Sequence, residues 1–372
     1  MSSFGVAFKD AITPIYRPMY NRLRSTIMVD RNADPRRTLF ISTGGRTGGT
    51  WVSQLVNFDG AYRLMFEPIS RERLLVTPDL APSLPDNRLQ YIRPDSTDAD
   101  LIGRVEAVIT GRYRQPLTDQ YNYTPRIVFN KRLVKETKSN LWAKWMHERF
   151  PRMPIMLLLR HPVPAVMSRY FKYFDLPVDQ RASVDDPARR QREYETLTLG
   201  QPELLADHLG PMRSVIESAR SVFAQRMVVW CIQNYVPLHQ FAPGQIHVAF
   251  YEDFCLNPVG ELRKLRHYLG EELSENEVAR IERRSTKPSS TFHRTAVHHF
   301  QEVEAIRGYE QIAKWLKRIQ PQERREAAEL LQAFGLDAIY SADDPKPNPN
   351  GANLLMRANA PVKGPTSATR AD

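Results

Sequence analysis

Residues 38–58 join an apolar run, a glycine-rich turn and an amphipathic stretch, and this order constrains the fold more than any other part of the chain. It predicts a strand, a tight loop and a helix whose first N–H groups converge on one point. A helix start of this kind binds anions through those N–H groups and the positive end of the helix dipole. The segment is therefore predicted to be a phosphate-type cradle.

The turn itself carries residue types that suit an oxyanion. Glycines allow the backbone to curl closely around a ligand, and Arg46 adds a permanent cation with a planar fork. The turn does not follow the nucleotide-kinase P-loop, G-x-x-x-x-G-K-[ST], because no lysine follows Gly49. The residues expected to contact the anion are Arg46, Thr47, Gly48, Gly49, Thr50 and Trp51.

Strand-like and helix-like patterns alternate along the rest of the chain. Strands are predicted at residues 38–43, 126–134, 154–160 and 245–250, and helical runs follow them. This alternation is typical of a parallel sheet with helices on both faces. We therefore predict an α/β fold, three-layer α/β/α with a central parallel sheet, like that of the P-loop NTPases.

The domain organisation follows from shifts in composition. A basic helical extension is expected at residues 1–36 and one domain at 37–340, which includes a polar, proline-containing insertion or lid at about 175–210. From residue 341 to residue 372, Pro, Asn, Gly and Ser predominate, and this composition predicts a flexible tail.

Composition also limits the classes of partner. The net charge of +10 favours anionic ligands, but zinc-finger spacing and an aromatic-basic RNA-binding pattern are both missing, so nucleic acid is not an expected partner. The chain has two cysteines and no apolar run of membrane-spanning length, which favours a cytoplasmic location. The basic, partly apolar N-terminal segment leaves open peripheral membrane contact and packing on the main domain.

Glu67 is the candidate general base. It follows the cradle helix in the sequence Phe66-Glu67-Pro68, and Pro68 is expected to hold it in an extended conformation with its carboxylate at the strand ends. There it would accept a proton from an acceptor hydroxyl. An isolated glutamate is better explained as a surface or capping carboxylate, but the neighbouring cradle favours the base.

A second candidate anion site lies near residue 160. Arg160 follows a buried strand at its carboxyl end, where open α/β sheets bind ligands, and Ser168 lies about two helical turns further on. Together these residues are predicted to hold a second anion. The alternative is an arginine that caps a helix and a solvated serine.

Together these motifs resemble the sulfotransferase family that uses 3′-phosphoadenosine 5′-phosphosulfate (PAPS). Residues 46–51 are similar to the family's 5′-phosphosulfate loop, in the arginine-containing form typical of carbohydrate-type and bacterial members. Residues 160–168 resemble its 3′-phosphate motif, R-[DN]-P…S, although His161 replaces the usual acidic or amide residue. Residues 251–253 and 269–270 are similar to the C-terminal part of the family domain, so the resemblance covers about residues 37–340.

The resemblance implies PAPS as co-substrate. Because a phosphosulfate leaving group departs readily, no metal is expected. The resemblance also implies that residues 46–51 hold the 5′-phosphosulfate and that Arg160 and Ser168 hold the 3′-phosphate. Glu67 and Arg46 would be catalytic, and Lys131 either lies near the transferred sulfuryl group or is a lysine at a strand edge. Two basic residues and a serine further along are candidates to close over the 3′-phosphate or the adenine, and their role is left open: Arg284, Lys287 and Ser289.

The resemblance and Glu67 together favour a carbohydrate or glycolipid hydroxyl as the acceptor. Two other functions stay open: an ATP-dependent P-loop kinase and a non-catalytic anion-binding protein on the same fold. The missing P-loop lysine argues against the kinase. The sequence does not indicate an oligomeric state.

Overall fold

The computed structural model describes residues 23, 25–69, 89–122, 124–137, 139–174, 187–286 and 308–358. Lys287, Ser289 and most of the predicted N-terminal extension lie outside these ranges.

The described residues form one central sheet of five parallel strands and a separate parallel pair. The strand order of the central sheet is β3-β5-β2-β6-β7, and β1 pairs with β4. The strands are β1 (Val29–Asp30), β2 (Thr38–Thr43), β3 (Tyr62–Phe66), β4 (Val128–Phe129), β5 (Lys131–Glu136), β6 (Ile155–Leu159) and β7 (His247–Phe250).

Three of the four predicted strands are found near their expected positions as β2, β6 and β7. The fourth, predicted at 126–134, is divided into β4 and β5, which belong to different sheets, and β5 continues to Glu136. Strand β3 is not among the predicted strands. This strand forms the edge of the sheet beside β5 and leads directly into Glu67.

Helices surround the sheet. No helix among the described residues is long and apolar enough to cross a membrane. The principal helices are α1 (Gly49–Val56), α2 (Ala99–Ile109), α3 (Ala143–Arg149), α4 (Pro162–Phe174), α5 (Pro187–Leu197), α6 (Arg213–Ser218), α7 (Val222–Gln240), α8 (Tyr251–Leu256), α9 (Pro258–Tyr268), α10 (Glu275–Ser285), α11 (Tyr309–Ala313), α12 (Pro321–Ala333) and α13 (Pro349–Ala358).

The strands are buried on both faces, which explains their nearly continuous apolar sequences. Every residue of β2 and of β6 is buried. In β2, Phe40 packs into one core with Trp145 of α3 and Met227 of α7, whereas Leu39 and Ile41 pack into another with residues of α1 and α9. The two cores on opposite faces confirm the predicted three-layer α/β/α architecture.

The described end of the N-terminal extension packs on the main domain. Met28 is buried, and β1 brings Asp30 to the fully buried guanidinium of Arg63. Arg63 also binds Asp119 at 2.8 Å, so a buried network joins the extension to the edge strand β3. Such a network stabilises the fold only when its charges are paired, as they are here.

The polar stretch predicted as an insertion is helical rather than sheet in its described part, which begins at residue 187. Its apolar residues Leu204 and Leu209 are fully buried in the core that contains α7. The hydroxyl of Tyr194 donates to the carbonyl of Ile216 at 2.8 Å. Residues 187–218 are thus anchored to the core.

The prediction of a flexible tail is wrong for residues 341–358. Helix α13 packs through Ala352 and Met356, which are almost completely buried. The residues that suggested flexibility have local structural roles: Asn348 accepts a hydrogen bond from the Asn350 N–H at 3.1 Å, and α13 begins at Pro349, where a proline costs no helical hydrogen bond. Residues 359–372 lie outside the described part of the chain.

Candidate active site

The carboxyl ends of all five strands of the central sheet carry a candidate site residue. In sheet order these are Glu67 after β3, Lys135 in β5, the loop at 44–51 after β2, Arg160 after β6 and Tyr251 after β7. Because the strands are parallel, these residues share one edge of the sheet, here called the carboxyl edge. At about 4.8 Å between strands, the row from Glu67 to Arg160 spans about 14 Å.

The loop presents the bare start of a helix. Helix α1 begins after Gly48, which has a φ of 78°, and no side chain caps it. The first N–H groups of a helix have no intrahelical acceptor, so they are directed at the mouth of the loop. A β-carbon on Gly48 would lie 2.3 Å from Cε2 of Tyr251, so only glycine fits this turn. Arg46 also has a left-handed backbone, with a φ of 71°.

Thr47 and Thr50 differ in their surroundings. The hydroxyl of Thr47 is buried and donates to the carbonyl of Gly44 at 2.6 Å, and it also contacts the hydroxyl of Thr43. Thr47 therefore shapes the loop with its side chain, and its hydroxyl is already engaged. Thr50 is half-buried at the first turn of α1.

Both predicted anion motifs meet in one place. Nε of Arg46 donates to the Ser168 hydroxyl at 2.9 Å, and Nη1 of Arg160 donates to the Arg46 carbonyl at 2.7 Å. The guanidinium of Arg160 lies over the ring of Tyr251, 4.6 Å from its centroid. Partial burial and the neighbouring Arg160 lower the pKa of Arg46.

Neither guanidinium makes an ion pair with a carboxylate in the described part of the chain. Two neighbouring cations that lack a directly paired carboxylate repel each other and attract an anion. The same cleft includes the uncapped start of α1. These groups fit a ligand with two separate phosphate-type anions.

Glu67 forms an ion pair with Lys135, and the strand of Lys135, β5, is the neighbour of β2, which leads into the loop. The predicted extended conformation of Glu67 is wrong: its φ is 46°, and its N–H donates to the Lys135 carbonyl at 2.7 Å. This turn directs the carboxylate back across the end of β5. Cε of Lys135 lies 3.1 Å from the position of a β-carbon on Gly49, so the lysine side chain passes directly beside the loop.

A second carboxylate, that of Glu136, lies at the same end of β5. Glu136 is fully buried, and its two oxygens accept the N–H groups of Ile69 and Thr137, each at 2.8 Å. Burial, and then repulsion by Glu67, raises the pKa of Glu136 to about 7. Both oxygens are engaged by the backbone, so Glu136 holds the turn after Glu67 in place.

The structure does not bring Lys131 to the loop. Lys131 begins β5, at the opposite edge of the sheet, where it forms an ion pair with Glu271 and lies over the ring of Tyr62. Four residues of strand, about 13 Å, separate it from Lys135. Sequence reasoning missed Lys135 because the predicted strand ended at residue 134. The same strand extended by two residues would have placed Lys135 at the carboxyl edge.

The remaining candidates lie around α1. The ring of Trp51 packs edge-on against that of Tyr251, with 5.9 Å between ring centroids. Arg284 donates to the side-chain oxygen of Gln54, in the middle of α1, at 2.5 Å. Trp51 is thus part of the cleft, whereas Arg284 contacts the side of the cradle helix.

Metal ligands are not gathered at this site. The described ranges contain no group of three or more His, Cys, Asp or Glu side chains arranged to hold a metal ion. The positive charge of the cleft comes from Arg46, Arg160 and Lys135.

A family model of the sulfotransferase domain matches residues 36–333 of the chain. The chain belongs to this family. The prediction of a PAPS-dependent sulfotransferase is thereby confirmed. No curated protein matches the sequence.

Several solved sulfotransferase structures are similar to this sulfotransferase. The sulfotransferase domain from the curacin biosynthetic pathway is 14% identical over 82% of this chain and 98% of its own, with a TM-score of 0.37. Mouse sulfotransferase SULT7A1 complexed with PAP is 12% identical over 89% of this chain and 90% of its own, with a TM-score of 0.39. A sulfotransferase from Alicyclobacillus acidocaldarius is 15% identical over 86% and 95%, with a TM-score of 0.37.

Proposed function

We propose that this sulfotransferase binds PAPS along the carboxyl edge and transfers its sulfuryl group to a hydroxyl of a carbohydrate or glycoconjugate. One observation carries the proposal. Two guanidinium groups that form no ion pair with a carboxylate of the described residues meet at an uncapped helix start, and the Glu67–Lys135 pair lies next to them. The first part of this arrangement suits a doubly phosphorylated donor, and the second suits proton transfer from an acceptor.

The binding roles follow from the order of the strands. Residues 46–51 would hold the 5′-phosphosulfate with the N–H groups at the start of α1 and the Arg46 guanidinium. Arg160 and Ser168 would hold the 3′-phosphate. Trp51 and Tyr251 form the aromatic part of the cleft. Because the Thr47 hydroxyl already bonds to Gly44, Thr47 would contribute its backbone.

The chemical step needs a proton acceptor and charge stabilisation. PAPS supplies a sulfuryl group on a phosphate leaving group, so one acceptor oxygen–sulfur bond forms as one sulfur–oxygen bond to the 5′-phosphate breaks. Glu67 takes the proton that the acceptor hydroxyl loses. Lys135, Arg46 and the N–H groups of the loop stabilise the charge that develops on the phosphate side. Lys135 here replaces Lys131, which lies at the other edge of the sheet.

The carbohydrate acceptor is supported by two features. By the resemblance, Glu67 would correspond to the glutamate base of carbohydrate-type and bacterial members, and the loop has their arginine-containing form. Glu67 follows the edge strand β3, so an acceptor can approach from outside the sheet.

The domain organisation and cellular location belong to the same proposal. The sulfotransferase domain would occupy residues 37–340, with the segment at about 175–210 contributing to acceptor choice, since loops and insertions usually carry specificity. The enzyme would act in the cytoplasm, where its basic N-terminal extension would contact membranes that carry a lipid-linked acceptor.

The proposal is tested by following label from ³⁵S-PAPS into a panel of acceptors. The panel contains neutral oligosaccharides, a glycolipid, a simple phenol and a primary amine, each with and without a chelator of divalent metals. We expect label in the sugars at a rate that the chelator does not change. Label confined to the phenol or amine would contradict the carbohydrate acceptor. Phosphate transfer from Mg²⁺-ATP to the same panel would support the kinase instead.

A further inference from the structure

His161 departs from the family's usual residue, yet it keeps the expected local role. Its Nδ1 accepts the N–H of Val163 at 3.3 Å, in the first turn of α4. An aspartate or asparagine caps a helix start in the same way, with a side-chain oxygen. The imidazole thus replaces the usual cap of the helix that carries Ser168.

The other nitrogen of the same ring makes a contact that a shorter side chain would not reach. Because Nδ1 is an acceptor, Nε2 carries the hydrogen, and it donates to the carbonyl of Ser341 at 2.9 Å. The ring is fully buried and stacks on Trp315 with 4.3 Å between centroids. Burial lowers the pKa of His161 to about 4, which agrees with this neutral tautomer.

A third contact, made by Glu252, fixes the peptide between Arg160 and His161. The His161 N–H donates to Oε1 of Glu252 at 2.9 Å, and Glu252 is only 1% exposed. The hydroxyl of Tyr340 lies 3.4 Å from Oε2 of the same carboxylate. Ser341 therefore contacts the imidazole of His161, and Tyr340 contacts the carboxylate that binds the His161 N–H.

Two of these contacts, those of Tyr340 and Ser341, come from beyond the family match. The family match ends at residue 333, and residues 334–358, here called the C-terminal extension, include Tyr340, Ser341 and α13. The extension is anchored to the core by buried Met356, and within it Gly351 approaches the carbonyl of Ala338 so closely that a β-carbon would lie at 2.1 Å. It therefore gives the imidazole a fixed acceptor.

We propose that His161 is a positioning residue that ties the 3′-phosphate motif to the C-terminal extension and thereby fixes Arg160 for the 3′-phosphate. This inference rests on the proposed role of Arg160 in PAPS binding. The Arg160 guanidinium donates to the Arg46 carbonyl and lies over the Tyr251 ring. A rigid backbone at His161 limits the directions that the Arg160 side chain can take.

The test is His161→Asn, which keeps an oxygen for the helix cap and removes the link to Ser341. Binding of 3′,5′-adenosine bisphosphate (PAP) and of adenosine 5′-phosphate (AMP) is measured by calorimetry on wild type and variant. We expect PAP binding to weaken about 3- to 10-fold, in the range of one lost hydrogen bond, with AMP binding unchanged. His247→Asn is the matched control, because His247 also stacks on an aromatic ring, Tyr268, but begins β7 at the other edge of the sheet.

Thermal unfolding of each variant separates positioning from simple destabilisation. A folded His161→Asn protein with the wild-type ratio of PAP to AMP affinity would overturn the proposal, whether both affinities are unchanged or both are weakened equally. If His161→Asn does not fold, Tyr340→Phe tests the same link through Glu252 and should weaken PAP selectively by a smaller factor. A wild-type protein without preference for PAP over AMP would instead overturn the proposed function on which the inference rests.

Discussion

Replacing Glu67 with glutamine is expected to reduce sulfuryl transfer by about 10²- to 10⁴-fold, the usual contribution of a general base, and to leave PAP affinity nearly unchanged. Glutamine keeps the size of the side chain but cannot accept the acceptor's proton. Glu67 lies two strands from the loop, beyond β5 and on the side away from Arg160, so its replacement does not remove a contact to the sulfuryl donor. Single-turnover transfer from PAPS, together with calorimetry of PAP, measures both effects.

Glu136→Gln is the matched comparison for this variant. Its carboxylate belongs to the same strand end but is fully buried and bonded to two backbone N–H groups. We expect folded Glu136→Gln to retain transfer within about a factor of ten, because a buried group of this kind acts on structure rather than on the acceptor. Loss of transfer in Glu136→Gln with full activity in Glu67→Gln would assign the base to Glu136 and contradict the account.

Replacing Lys135 with methionine is expected to reduce transfer by about 10²- to 10³-fold, as does the removal of one preorganised donor that faces developing charge. Methionine keeps the unbranched apolar stem beside Gly49 and removes the ammonium group that pairs with Glu67. The loss should appear mainly in kcat, because the loop and Arg160 still hold the donor. Steady-state kinetics with varied PAPS measures the division between kcat and KM.

Lys131→Met is the matched control from the same strand. It removes an ion pair with Glu271 at the opposite edge, where partly exposed pairs contribute about 0–1 kcal/mol to stability. Transfer should remain within about twofold of wild type. A large loss in Lys131→Met with little change in Lys135→Met would restore Lys131 as the active lysine and contradict the arrangement described here.

The sequence predicts the layers of the fold and most of the donor cleft because both depend on local patterns. The apolar runs at 38–43 and 154–160 correspond to strands buried on both faces, and their carboxyl ends place the loop and Arg160 together. The short edge strand β3 is not predicted, because a five-residue segment that contains Arg63 lacks the continuous apolar pattern of a buried strand. Arg63 is buried there only because Asp30 and Asp119 neutralise it from distant parts of the chain.

The details that the sequence does not predict depend on contacts between distant residues. The position of Lys135 depends on where β5 ends, and the conformation of Glu67 depends on its hydrogen bond to that strand. The order of residues 341–358 is not predicted for a similar reason. The proline of α13 begins the helix and its glycine allows a close backbone approach, and composition shows neither role. Long-range packing, rather than local preference, decides these positions.

The central claim is that Arg160 recognises the 3′-phosphate of the donor, and calorimetric titration of wild type and Arg160→Ala with PAP and AMP tests it most directly. The account predicts that the variant binds PAP about 10- to 100-fold more weakly, the value of a charge-assisted contact, while AMP affinity changes less than about twofold. Equal weakening for PAP and AMP would contradict it. That result would mean that Arg160 acts only through its hydrogen bond to the Arg46 carbonyl.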